Sequence, residues 1–369
     1  MITAAGGNRV ARTAAPSYTW SMNELRTRTP NTIRRRLLRI RQSRGGGFNG
    51  FSGAVPLRSA AAAAAVALSL IAGAGCERGS GQSAPYSVSA IDTTHVPPFS
   101  GQNAHALLRR QVEFGPRVAG KAGHAAQLAW MTRHLRDRAD SVILQPFEHV
   151  DSESRRLRMS NVFARFNTAA RDRILLIAHW DTRPTADMDR ERPREPILGA
   201  NDGASGTAVL LELASVLSRH SPPIGVDILL VDGEDYGPGE RDMYLGAKFF
   251  AANQPQDFQP LYGILVDMVG DRNPRFPVED NSDDLAPEVV DRVWSVAEQL
   301  GLGALFPRTR GGGVTDDHIP LNRAGIRTIN IIDIDYEHWH THGDIVENTS
   351  PVGLEAVGRV LAALIYNGG

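Results

Sequence analysis

The chain has 369 residues, 42% of them hydrophobic, which is enough apolar material for one large core or two ordinary ones. Its 40 basic and 41 acidic residues give a net charge of −1, so the charge balance gives no reason to expect a nucleic-acid partner. Cys76 is the single cysteine, which excludes an intramolecular disulfide and a cysteine-based metal site. Any metal must therefore be held by histidine and carboxylate side chains.

The N-terminal part of the chain has the composition of an export sequence. Residues 1–54 are rich in Arg and lack apolar periodicity, which predicts a disordered or untranslated segment. Residues 55–76 contain Arg58 and a run of small apolar residues that ends at Cys76, as in a signal peptide with a lipid-attached cysteine. An ordinary cleaved signal, with Cys76 incidental, is the alternative. We expect an exported protein, periplasmic or membrane-anchored through a lipid.

Residues 77–102 are rich in Gly, Ser and Pro, which predicts a flexible tether, and one domain follows over residues 103–369. Its first predicted elements, in chain order, are helices at 104–114 and 122–138, an edge hairpin at 142–150 and 156–166, and a buried strand at 174–178. A helix after Gly206 follows. Further strands are predicted at 226–231, 261–266 and 327–332, and further helices at 242–252, 287–300 and 354–366. Apolar strands that alternate with helices predict a mostly parallel α/β sheet covered on both faces.

Histidine and carboxylate side chains follow each of the buried strands. The first strand is followed by His179 and Asp181, and Asp202 begins the next helix. The others are Asp232, Glu234 and Asp235 after the second strand, Asp267 and Asp271 at the third, Asp316, Asp317 and His318 in a Gly-rich loop, and His340 after the last strand. A lone acid at such a place is usually a helix cap or a surface charge, but four strand ends with this chemistry predict a functional site.

Zinc suits this set of side chains, because imidazole and carboxylate bind it without thiolate, and three protein ligands leave a fourth position open. Glu234 directly precedes Asp235, so one carboxylate can bind a metal while its neighbour transfers protons. His338 and His342 flank His340 and stay open as ligands, since in a strand-like segment all three would share a face. The residue pattern therefore predicts a metal-dependent enzyme.

Six motifs in this order resemble the zinc aminopeptidase superfamily and, within it, the glutaminyl-peptide cyclotransferases of animal and bacterial type. They are HWDTRP, GANDGASG, DGEDYG, LVDMVGD, TDDHIP and EHWHT. The resemblance covers residues 103–369. It implies a three-layer sandwich, in which a mixed, mostly parallel, twisted central sheet lies between helices.

In the cyclotransferase branch the resemblance implies one zinc ion, held by Asp202, Asp235 and His340. Glu234 matches the residue that accepts and donates protons. Asp267 and Asp316 match its hydrogen-bonded carboxylate partners, and Trp339 matches the aromatic residue that lines the substrate pocket. The implied reaction converts the N-terminal glutamine of a peptide or protein to pyroglutamate and releases ammonia.

In the aminopeptidase branch the resemblance implies two metal ions. There Asp202 bridges them, with His179 and Asp267 on one ion and Asp235 and His340 on the other. Both branches commonly have Glu where this chain has Asp235, so the shorter side chain moves the metal or the backbone by roughly one carbon–carbon bond. A second zinc is therefore less expected than the first.

Three functions remain open from the sequence. Trp339 directly before His340, together with the paired Asp316-Asp317, favours the cyclotransferase. A zinc aminopeptidase that hydrolyses the first peptide bond with a metal-activated water is the alternative. An inactive, tethered binding domain is the third, and the joint presence of a complete ligand set and Glu234 argues against it.

Overall fold

The computed structural model describes residues 89–256 and 258–369. The predicted segments at residues 1–54 and 55–76, including Cys76, lie outside the described residues and stay predictions. Within the described residues, none of the helices has the length and apolar character that a membrane span requires.

Six strands form one mixed sheet. They are β1 (Ser141–Val150), β2 (Arg156–Phe166), β3 (Arg173–His179), β4 (Gly225–Val231), β5 (Gly263–Asp267) and β6 (Thr328–Ile332). The strand order is β1-β2-β4-β3-β5-β6. Strands β4, β3, β5 and β6 are parallel, whereas β1 pairs with β2, and β2 with β4, in antiparallel register. The edge position of β1 explains why Pro146, which has no N–H to donate, is tolerated there.

Eight α-helices accompany this sheet in the described residues. They are α1 (Gly101–Val112), α2 (Ala122–Arg136), α3 (Ala204–Arg219), α4 (Leu245–Ala252), α5 (Asp280–Leu285), α6 (Pro287–Gln299), α7 (His318–Arg323) and α8 (Pro351–Tyr366). Ser350 caps α8 and Ser100 caps α1, each accepting a hydrogen bond from a backbone N–H of the first turn.

The sheet is apolar on both faces because alternate side chains of a strand point to opposite sides. Ile174 and Leu176 of β3 lie in a large cluster with residues of α1, α3, α6 and α8. Leu175 and Ile177 belong to a second cluster that includes Phe250 of α4 and a residue of α7. The predicted three-layer α/β sandwich is confirmed.

The start of α3 lies against the middle of the sheet. Gly203 precedes the helix with φ = 95°, a conformation that glycine adopts readily. A Cβ at Gly206 would overlap the carbonyl oxygen of Val266 in β5, so only glycine permits this close approach. The approach fixes Asp202, just before the helix, beside the carboxyl ends of the parallel strands, where ligands bind in open α/β sheets.

The structure differs from the sequence prediction at several places. Helices α5 and α7 were not predicted, because six residues are too short to show helical periodicity. The predicted tether, residues 77–102, overlaps residues that are packed: Phe99 is buried, and α1 begins at Gly101. The backbone N–H of Ile91 also donates to Gln299 of α6. The described domain therefore starts before residue 103.

Candidate metal centre

Three side chains from separate segments converge beyond the carboxyl ends of the parallel strands. Asp202 lies just before α3, Asp235 follows β4, and His340 lies in a turn after β6. One donor atom of each lies within 4.8 Å of the other two, and all three residues are buried. His340 Nε2 is 3.5 Å from Asp235 Oδ1 and 3.7 Å from Asp202 Oδ2. Tetrahedral ligands with bonds of about 2.1 Å lie about 3.4 Å apart, so these spacings fit zinc.

The electrostatics of this group also fit a cation. Buried carboxylates that lie close together repel each other and lose solvation, which is costly without positive charge nearby. Asp235 Oδ1 accepts a hydrogen bond of 2.6 Å from Arg183, whereas Oδ2 is buried and has no hydrogen-bond partner among the described residues. Two carboxylates and an imidazole are a donor set that binds divalent zinc. The residues therefore fit the metal that their sequence pattern predicts.

A second group, His179, Asp202 and Asp267, shares one residue with the first and is equally buried. His179 Nε2 lies 3.0 Å from Asp267 Oδ1 in a hydrogen bond and 3.2 Å from Asp202 Oδ1. Burial works to lower the pKa of His179, but the charge of Asp267 and bonds to the neighbouring aspartates raise it well above its usual value. A metal ion bound by this group would replace the hydrogen bond between His179 and Asp267.

Asp181 positions the segment that carries Glu234 and Asp235. Its carboxylate accepts hydrogen bonds from the backbone N–H groups of both residues, at 3.1 Å from Glu234 and 3.3 Å from Asp235. Asp181 is also near the His179 ring, but His179 Nδ1 lies 3.7 Å away and has no hydrogen-bond partner among the described residues. The main contacts of Asp181 are therefore with backbone rather than with the imidazole.

Asp344, which the sequence analysis passed over, performs the same task for Asp202. It is fully buried and accepts hydrogen bonds from the N–H groups of Asn201, at 2.7 Å, and Asp202, at 3.1 Å. The hydroxyl of Tyr336 donates to it at 2.9 Å, so Tyr336 is tied to this loop. Burial raises the pKa of Asp344 to about 7. Burial lowers the pKa of the neighbouring Arg117 to about 10, although the charge of Asp344 opposes this, so the guanidinium still supplies positive charge here.

Glu234 lies beside the metal-binding group in a carboxylate-rich environment. Burial raises its pKa well above the usual value, and the charges of Asp316 and Asp235 raise it further, although His179 opposes them. Burial raises the pKa of Asp316 to about 7, helped by the charge of Asp267. Carboxyl groups with raised pKa values can hold and release a proton near neutral pH.

Asp317 directly follows Asp316 and lies in the protein interior. It is fully buried, and neither carboxylate oxygen has a hydrogen-bond partner among the described residues. Burial and the charge of Asp316 raise its pKa well above the usual value. Sequence offers no means of telling which of two consecutive aspartates points into a protein interior.

One cavity of about 210 Å³ brings the predicted site residues together, with the metal-binding group, Glu234, Asp267, Asp316 and Trp339 in its wall. The remaining wall is mostly apolar and is formed by Met243, Tyr244, Met268, Val314, Ile332 and Ile334. The indole of Trp339 is 42% exposed and stacks on the His340 ring at 3.8 Å between centroids. Drug-sized pockets enclose roughly 300–1,000 Å³, so this cavity fits a single side chain.

The other candidate histidines lie apart from the metal-binding group. The segment around His340 is a turn, and His340 itself has φ = 54°, so the shared face expected of a strand-like segment does not exist. The ring of His338 packs edge-on against Tyr336, and His342 Nδ1 bonds to Asp189 at 2.9 Å. His318 is fully buried at the start of α7. The suggestion that His338 and His342 share a face with His340 is wrong.

Fold and site together define an α/β protein with a buried carboxylate–histidine group that could hold a metal ion, and with a neighbouring carboxyl group of raised pKa, at the carboxyl edge of its sheet. The sequence pattern of peptidase family M28 matches residues 161–365, which is more than half of the chain. The chain belongs to this family.

Solved structures of bacterial enzymes have the same fold. A glutaminyl cyclase from Bacteroides thetaiotaomicron is 36% identical, with a TM-score of 0.73, over 74% of this chain and 100% of that chain. A Zn-dependent exopeptidase from Parabacteroides distasonis is also 36% identical, with a TM-score of 0.72, over 74% of this chain and 99% of that chain. Glutaminyl-peptide cyclotransferase from Bos taurus is 24% identical over 56% of this chain, which spans 65% of the bovine protein.

These comparisons confirm the superfamily that the six motifs indicated and the expectation of an enzyme. They include both functions that the sequence left open, a cyclase and an exopeptidase. The roles of the individual site residues stay predictions.

Proposed function

We propose that this protein is a glutaminyl-peptide cyclotransferase that converts N-terminal glutamine to pyroglutamate and releases ammonia. The observation that carries the proposal is the small cavity in which the metal-binding group, Glu234 and Trp339 line one space. A glutamine side chain reaching into that space would bring its amide carbon beside Glu234, with Trp339 at the exposed mouth. The glutaminyl cyclase that the chain covers in full supports the same reading.

We propose that one zinc ion is held by Asp202, Asp235 and His340. Bound there, zinc would polarise the side-chain amide carbonyl of the substrate and offset the negative charge of the surrounding carboxylates.

Proton transfer is assigned to Glu234. As the substrate α-amine attacks the side-chain carbonyl carbon, the new carbon–nitrogen bond closes a five-membered ring, and Glu234 accepts a proton from that nitrogen. The old carbon–nitrogen bond then breaks, and Glu234 gives the proton to the departing ammonia. The charge of Asp316 helps to raise the pKa of Glu234, and the pKa values of Asp316 and Asp267 are raised as well.

Zinc aminopeptidase activity is the second candidate, and the additional buried group of His179, Asp202 and Asp267 favours it. With two ions, Asp202 would bridge them and Glu234 would take a proton from the attacking water. The exopeptidase among the structural relatives supports this alternative.

A direct comparison of products separates the two reactions. Purified, zinc-loaded protein is incubated with a Gln-peptide and with a Leu-peptide amide, and ammonia and free amino acids are measured. Ammonia release with an intact peptide bond is expected, whereas free leucine without ammonia would establish the aminopeptidase. Metal analysis of the same sample gives the number of ions, and one is expected.

The Glu234→Gln variant tests the proton-transfer role. Gln keeps the size of the side chain but cannot accept a proton, so we expect a rate reduced by roughly 100-fold to 10,000-fold. Zinc content should stay equal to that of the wild type. Full turnover by this variant would refute the assignment.

A further inference from the structure

Arg183 connects a predicted metal ligand to a residue of its own loop. Its guanidinium is 5% exposed and donates to Asp235 Oδ1 at 2.6 Å. The Nε–Nη2 edge of the guanidinium donates two hydrogen bonds to Asp187, with Nε 2.8 Å from Oδ1 and Nη2 2.9 Å from Oδ2. This two-point contact fixes the plane of the guanidinium and therefore the direction of the bond to Asp235.

Asp187 continues the connection to the next ligand. Its Oδ1 lies 3.0 Å from Nδ1 of His340, the ring nitrogen opposite the one that faces Asp202 and Asp235. The buried Nδ1 has no hydrogen-bond partner among the described residues, and the Asp187 carboxylate is the acceptor beside it.

The backbone strengthens this connection. The N–H of Met188, next to Asp187, donates to the carbonyl oxygen of His340 at 3.2 Å. His340 has φ = 54°, a left-handed conformation that a non-glycine residue adopts only when surrounding contacts stabilise it. The loop after β3 thus contacts both the backbone and the ring of this ligand.

We propose that Arg183 and Asp187 are positioning residues that hold Asp235 and His340 as one unit for metal binding. Asp235, Arg183, Asp187 and His340, in this order, form what we call the ligand bridge. A carboxylate at the second ring nitrogen of a metal-binding histidine fixes its tautomer and orientation, and losing such a contact typically weakens metal binding about 10-fold to 100-fold. Arg183 additionally holds Asp235 Oδ1, the oxygen that lies 3.5 Å from His340 Nε2.

The ligand bridge also accounts for the short side chain at Asp235. A glutamate would reach one carbon further, whereas Asp235 is held in place by a buried arginine at 2.6 Å. The inference rests on the metal site in the proposed function, but not on which reaction occurs there. Metal affinity therefore tests it separately from catalysis.

The experiment is a double-mutant cycle on the full-length protein with zinc affinity as its measurement. The metal is removed, and zinc is titrated back against a chromophoric chelator into the wild type, Asp187→Asn, Arg183→Lys and the double variant. Each single variant should lose about 10-fold to 100-fold in affinity, and the double variant should be at most about threefold weaker than the weaker single variant. Glu195→Gln is the matched control. This 58% exposed carboxylate of the same loop pairs with Arg192 at 3.2 Å and with no other side chain among the described residues, so its loss should leave zinc affinity unchanged.

Cobalt substitution gives a second measurement that general destabilisation would not change. The visible spectrum of bound Co²⁺ reports ligand geometry, so it should shift in Asp187→Asn and stay unchanged in the control. Single variants that bind zinc within about twofold of the wild type would overturn the proposal, as would losses that simply multiply in the double variant. A wild type that binds zinc but does not cyclise glutamine would refute the proposed function alone, and the affinity cycle would still decide the ligand bridge.

Discussion

Glu279 offers a stability test of the loop that carries Asp316 and Asp317. It is fully buried at the N-terminus of α5 and accepts hydrogen bonds from the N–H and hydroxyl of Ser282, each at 2.6 Å. It also accepts from the N–H of Val314, at 2.9 Å, just before the two aspartates. One carboxylate therefore connects a helix start to the loop that forms part of the site.

The pKa of this carboxyl gives the size of the effect. Burial works to raise the pKa of Glu279, but His318, Ser282 and the N–H of Val314 outweigh it and lower the pKa from 4.5 to about 2. A difference of about 2.5 units corresponds to about 3 kcal/mol. His318 Nε2 lies 3.3 Å from Glu279 without hydrogen-bond geometry, so its contribution is smaller than that of a true hydrogen bond. We therefore expect Glu279→Gln to lower the free energy of unfolding at pH 7 by roughly 2–3 kcal/mol.

The pH dependence of this difference provides the sharper test. Since the folded pKa lies below the unfolded one, ionised Glu279 stabilises the fold fully above about pH 4.5, and this contribution disappears as the pH falls towards 2. Urea unfolding of wild type and Glu279→Gln at several pH values should show the gap narrowing below about pH 4.5. The exposed Glu298 of α6 provides the control, and Glu298→Gln should change stability by less than about 0.5 kcal/mol. A gap that is constant with pH would refute the reasoning.

Three further outcomes are expected. Trp339→Ala should raise KM for a Gln-peptide by about 3-fold to 10-fold in steady-state kinetics with little change in kcat, because the proposed function places the exposed indole against the substrate at the cavity mouth. A fall in kcat alone would contradict this. Gly206→Ala should lower the melting temperature by several degrees, since the added Cβ meets the carbonyl of Val266, and an unchanged melting curve would contradict it. Removal of the metal by a chelator should abolish turnover, and added zinc should restore it. The circular dichroism spectrum should stay unchanged on metal removal, because Asp181 and Asp344 hold the backbone at Glu234 and Asn201 without metal.

The sequence predicts the sheet and the long helices of this fold well, because apolar runs and helical periodicity are visible within each segment. Buried strands such as β3 are continuous apolar runs, and long helices such as α8 show their periodicity. Strand β2 has the predicted bounds. Short helices such as α5 and α7 escape prediction because their formation depends on caps and tertiary contacts.

The residues of the candidate site likewise fall into those that the sequence predicts and those that it does not. The side chains placed at strand ends by the motifs, such as Asp202 and Glu234, do lie together in the structure. Residues that act on the backbone of a distant segment do not emerge from sequence, and Asp344, whose partners Asn201 and Asp202 lie about 140 residues earlier, is the main case. The same holds for Asp187, because the turn that brings His340 to it depends on a left-handed backbone.

The contacts of Asp344 have a consequence for exchanging the predicted ligand Asp202. Asp344 accepts hydrogen bonds from the backbone N–H groups of Asn201 and Asp202, so the course of the chain there does not depend on the side chain of Asp202. Asp202 can therefore be replaced by a residue of another length or hardness while its loop keeps its path, whereas Asp235 is also held through its side chain by Arg183. This makes position 202 a suitable starting point for altering the metal preference of the proposed site.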